Sequence, residues 1–193
     1  MIENNRSPGF YIGKKEVKGE GSMKGKKSAQ MASLYGMLIA LAFVLSFVET
    51  LIPVSMGIPG MKLGLANLVT LVGLYTIGTK GTMVVAVLRI LLVGFTFSNL
   101  FAVFYSLGGF GLSILIMVLC KRYKWFGTIG ISIAGGVAHN IGQICVAAYV
   151  VKQAGVFYYL PMLLIAGTGA GLIIGLLGNM IIDRIGSYLR KMQ

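Results

Sequence analysis

The sequence predicts an all-α integral membrane protein, a bundle of six transmembrane helices with both termini in the cytoplasm. Three observations predict it. Of 193 residues, 56% are hydrophobic and 11% charged, with a mean hydropathy of +0.86, outside the balance of a soluble globular domain. Six apolar runs approach the roughly 20 residues that cross a hydrocarbon core. The lysines and arginines, 17 against five acidic residues, gather between and beyond those runs.

Residues 1–30 are polar, glycine-bearing and rich in lysine. They lack the short apolar stretch of a cleavable signal peptide and are expected to form a disordered basic arm. The membrane domain is expected over residues 31–185, with spans at 31–49, 63–79, 82–98, 101–120, 127–151 and 159–182, and a short tail over 186–193. Only Gly78, Thr79, Lys80 and Gly81 separate the second span from the third. Ser98 and Asn99 divide residues 82–120, which are too long for one crossing, into two hairpinned spans. Between the first and second spans, residues 52–62 carry two prolines and two glycines and cannot continue a helix. This outside loop is either a buried connector or a lid over a ligand.

Orientation follows from the excess of positive charge on cytoplasmic segments. With the N-terminus inside, that side collects seven basic residues from the arm, then Lys80, Lys121, Arg122, Lys124, Arg184, Arg190 and Lys191, fourteen in all. The outer side keeps Lys62 and Lys152, and Arg89 falls inside a span. The net charge of +12 is thereby placed against anionic lipid headgroups. Too little chain lies outside the spans to build a nucleic-acid face. Cys120 and Cys145 both lie in or at the end of apolar runs and read as apolar fillers.

Arg89 lies near the centre of its span, where an arginine costs about 2.5–3.5 kcal/mol to insert. Either helix-end carbonyls of neighbouring spans compensate it, or it holds the anionic group of a ligand, since guanidinium matches carboxylate or phosphate in a bidentate fork. Lys62 is a second candidate cation, and Glu49 an internal partner for either. In the fifth span, His139 and Gln143 share one helix face, with Asn140 beside them among glycines. This face must look into the bundle, either for interhelical hydrogen bonds worth about 0.6–2 kcal/mol each or to line a pocket; Asn67 and Asn179 are available partners. The candidate ligand-binding set is Lys62, Asn67, Arg89, Asn99, His139, Asn140 and Gln143. Small residues recur at Ala32, Gly36 and Ala40, and again at Gly167, Gly171 and Gly175, a spacing that allows close helix packing. The first stripe is alternatively a docking surface for a separate membrane subunit.

No catalytic apparatus is visible. The acids are Glu3, Glu16, Glu20, Glu49 and Asp183, with no cluster to hold magnesium for diphosphate chemistry. No phosphate-binding loop for ATP appears, and Cys and His are too few for a zinc or haem site. No cofactor is expected.

At Pro59-Gly-Met-Lys-Leu-Gly-Leu-Ala-Asn67, at Arg89-Ile-Leu-Leu-Val-Gly94 and at Gly135-Gly-Val-Ala-His-Asn-Ile-Gly-Gln143, the sequence resembles the Gx transporter family. Members are often labelled heptaprenyl diphosphate synthase component I, and the resemblance covers roughly residues 31–185. That family is related to the substrate-binding S components of energy-coupling factor vitamin transporters, which have six spans and cytoplasmic termini. The resemblance implies a plasma-membrane subunit that captures a small anionic metabolite or vitamin outside. Its partners would be a coupling transmembrane subunit and ATP-binding cassette subunits. It also implies that residues 52–62 form a lid and that Ala32, Gly36 and Ala40 meet the coupling subunit, with glycine at the middle position where S components commonly have alanine. The synthase label implies instead a non-catalytic accessory subunit beside a prenyl synthase, in polyprenyl diphosphate or quinone metabolism.

Overall fold

A computed structural model describes residues 16–51, 64–97 and 100–191. The chain divides into two units, residues 1–36 and 37–193. All regular structure among the described residues is helical: α1 (Glu16–Leu51), α2 (Ala66–Thr76), α3 (Gly78–Phe97), α4 (Leu100–Tyr123), α5 (Thr128–Val151), a 3-10 turn over Ala154–Tyr159, and α6 (Leu160–Lys191).

In the first unit, helix begins at Glu16, well before residue 31. Residues 16–30, expected to lie in a basic arm, are part of this helix. The apolar window itself starts at Met31; the lysine-, glutamine- and alanine-bearing stretch before it consists largely of good helix formers, so the helix continues beyond the part suited to hydrocarbon.

The second unit holds the bundle. Among the described residues of the whole chain, five helices are long and apolar enough to cross a membrane, which makes this a multi-pass membrane protein. The 20 residues of α3 rise about 30 Å, the thickness of a hydrocarbon core. The second predicted span, 63–79, is the exception. Its helix, α2, has 11 residues, about 16 Å, too short to cross by itself. It ends at Ile77, whose N–H donates to the Gly73 carbonyl at 2.9 Å. Gly78 follows at φ +78°, a left-handed closing position that favours glycine. The chain reverses there: a Cβ on Gly73 would lie 3.0 Å from Thr82 Oγ1. The break falls at Ile77, and Gly78 to Gly81 open α3.

Buried over Ala66 and Val69–Leu74, on all sides of the helix, α2 is a core helix. Leu71 and Leu74 are wholly buried and cluster with Ile90 of α3, Phe110 and Ile114 of α4, Ile131 of α5 and Ile174 of α6. At its C-terminal end, Lys121 of α4 donates from Nζ to the Leu74 carbonyl at 2.6 Å and lies over the Tyr75 ring, satisfying a carbonyl the helix leaves open.

Backbone proximity joins the last three helices. Gly108 and Gly109 of α4 face Gly142 of α5, while Gly136 of α5 faces Gly167 of α6. Further along, Gly171 and Gly175 of α6 lie against Ile133 and Ile129. The stripe at Gly167, Gly171 and Gly175 thus packs internally. The chain leaves α4 through Lys124 and α5 through Lys152, both at φ 53°. Aromatic side chains are exposed at each end of α5: Tyr123, Trp125 and Phe126 near its start, and Tyr149, Tyr158 and Tyr159 near its end. Such belts mark membrane–water interfaces. Other exposed apolar side chains, among them Phe95, Leu100 and Ile165, suit a lipid surround.

Candidate functional site

Polar side chains from several helices converge where the N-terminal end of α2 meets α1, α3, α4 and α5. Glu49, near the end of α1, is buried and accepts a hydrogen bond from the Gly64 N–H just before α2. Gly64 has φ +77°, and its carbonyl accepts from the Asn67 N–H at 2.7 Å; this turn starts the short helix. Arg89 of α3 lies across from Glu49 and feels its charge. Its Nη1 reaches Ser46 Oγ at 3.5 Å, a long contact, and its buried Nε makes no hydrogen bond. The internal compensation of this arginine is therefore partial.

From α5, His139 and Gln143 enter the same space, as their shared helix face predicts. The imidazole fits because residue 109 is glycine: a Cβ there would lie 2.9 Å from His139 Nδ1 and 2.7 Å from the Gln143 side chain. His139 Nδ1 is buried without a well-formed hydrogen bond, although the Gly109 backbone is its polar neighbour. A small cavity of about 50 Å³ is lined by Ser46, Glu49, Asn67, Arg89, Ser106, His139 and Gln143. Beside it lies a second cavity of about 350 Å³, between the start of α2 and helices α4, α5 and α6. Gly64, Asn67 and His139 line both.

Of the sequence-predicted set, Asn67, Arg89, His139 and Gln143 are brought together around the small cavity. Asn140 borders the larger one, with its Nδ2 committed to the Leu163 carbonyl at 2.7 Å. Asn179 lies elsewhere and donates to Asp183 at 3.1 Å. Lys62, Asn99 and the loop at 52–62 lie outside the described residues. Ala32, Gly36 and Ala40 are exposed on α1. Sequence reasoning missed Ser46, Ser106 and Gly109. The two serines carried a signal, as polar residues within apolar runs, whereas Gly109 was one glycine among many.

A model of one protein family matches residues 38–181, and its description is heptaprenyl diphosphate synthase component I. The chain belongs to this family. The match covers the end of the first helix and nearly all of the rest of the bundle, including both cavities. No curated protein and no solved structure matches the chain. Membership in the component I family thus joins a membrane-spanning architecture to a name taken from one part of a synthase.

Proposed function

We propose that this family member is a membrane-embedded binding subunit that captures a small anionic metabolite or vitamin-like molecule from the outer side of the plasma membrane. Uptake is then driven by ATP hydrolysis in partner subunits, and the chain performs no chemistry of its own. The observation that carries this reading is the Arg89 guanidinium, with its Nε unpartnered beside a cavity. An intramembrane arginine is costly to keep, and two oxygens of a carboxylate or phosphate would meet its open donor edge. Asn67, His139 and Gln143 then orient the remainder of the guest.

In this reading the chain makes six crossings, with α2 in the second, and both termini are cytoplasmic. Lys121, Arg122 and Lys124 lie at one end of α4 and Lys152 alone at the far end of α5, which supports that orientation. The exposed Ala32, Gly36 and Ala40 would meet a coupling transmembrane subunit.

The family description favours a second reading, a non-catalytic accessory subunit beside a prenyl synthase. Affinity purification of the tagged chain from its native membrane separates the two. Coupling and ATP-binding subunits in the eluate support uptake; a soluble prenyl synthase supports the accessory role and overturns uptake. Arg89→Gln should insert normally and lose retained anion under either reading. Undiminished retention would remove the arginine from the site.

A further inference from the structure

The two adjoining cavities differ in chemistry, and the difference narrows the guest. The smaller one holds Arg89, Glu49 and Gln143 and, at about 50 Å³, accepts a few heavy atoms, the size of a carboxylate or one phosphate group. The larger one, about 350 Å³, is at the lower end of small-molecule sites. Its walls are mainly glycine, alanine and isoleucine, and it reaches from buried Ser132 and Gly135 to Ile165 and Ile173 on the outer face of α6. Exposed isoleucines in a spanning helix face lipid. Asn67 and His139 stand where the two cavities meet.

Resting on the anion-binding reading above, we infer that the guest is an anionic amphiphile. Its compact head lies against Arg89, its single short hydrocarbon tail occupies the cavity between α5 and α6, and it enters sideways from the lipid across α6. The open guanidinium supplies charge complementarity for the head. The adjoining apolar walls supply a place for a tail that a wholly polar metabolite would leave empty. Alkyl phosphates and fatty carboxylates share this chemistry.

The test uses the full chain in lipid nanodiscs and three decyl probes with a terminal diazirine: a phosphate, a carboxylate and an uncharged alcohol. After photolysis, labelled residues are mapped by mass spectrometry. The inference expects at least one anionic probe to label the walls at residues 132–136 or 166–174, with displacement by excess unlabelled anion. The phosphate and carboxylate arms identify the head. The alcohol should label diffusely along lipid-facing residues. Arg89→Gln should reduce the specific labelling at least tenfold. Ala170→Phe, which fills the tail cavity and leaves Arg89 intact, should reduce it at least fivefold. Anion-displaceable labelling confined to other surfaces would overturn the tail placement while sparing the anion site. Labelling insensitive to both anion and Arg89→Gln would overturn the anion site as well.

Discussion

Gly142 of α5 meets Gly108 of α4 backbone to backbone: a Cβ on Gly142 would lie 2.5 Å from the Gly108 carbonyl oxygen. A backbone atom has nowhere to retreat, so Gly142→Ala must push α4 and α5 apart. Overpacking of this kind costs about 1–3 kcal/mol, more than the helix-propensity gain of up to about 1 kcal/mol. Gly111→Ala is the control, since a Cβ there meets nothing within 4 Å. Unfolding in detergent should show Gly142→Ala destabilised and Gly111→Ala unchanged or slightly more stable. Equal stability of the two would mean that this contact is looser than described.

Lys121 joins α4 to the end of α2 by donating to the Leu74 carbonyl and lying over Tyr75. Because α2 is short, its open carbonyls are a large share of its hydrogen bonding. Lys121→Met keeps much of the side-chain length and removes the charge. It should cost about 1–2 kcal/mol, the lower part of the range for a hydrogen bond to a charged group because the lysine is part-exposed. Hydrogen exchange should show the added opening concentrated in α2. A uniform change across the bundle would argue against a local clamp.

Glu49 serves both the Gly64 N–H and the charge of Arg89. Glu49→Gln should therefore weaken the start of α2 while leaving the cavity more positive. The expected result is lower thermal stability together with severalfold tighter retention of an anionic probe. In a double-mutant cycle with Arg89→Gln, the stability losses should be non-additive, as charges sharing a network couple by about 0.5–3 kcal/mol. Additive losses would place the two residues in separate networks.

Much of the architecture was legible because hydropathy reports which residues tolerate lipid. The exit from α4 at Lys124 fell where polar residues interrupt apolar runs. The short α2 was not legible: the run at 63–79 carries no charge and no proline, and what shortens the helix is backbone geometry at Gly64 and Ile77–Gly78. Likewise Arg89, His139 and Gln143 stood out as polar groups in apolar spans. The larger cavity did not, because it depends on which glycines bring helices into contact and which border space.

His139 and Asn140 are adjacent in sequence, yet one residue turns about 100° around a helix, and this separates their duties. Asn140 points to α6 and donates to the Leu163 carbonyl, so Asn140→Ala removes an interhelical bond worth about 0.6–2 kcal/mol. It should lower stability with probe retention changed less than twofold. His139 has a buried nitrogen lacking a well-formed bond, and replacing such a group with an apolar side chain of similar size is nearly neutral or stabilising. His139→Leu should therefore keep or raise the unfolding temperature while reducing anion retention at least fivefold. Parallel unfolding and retention measurements on the two variants decide the matter, and the opposite pattern would exchange the roles given to these neighbours.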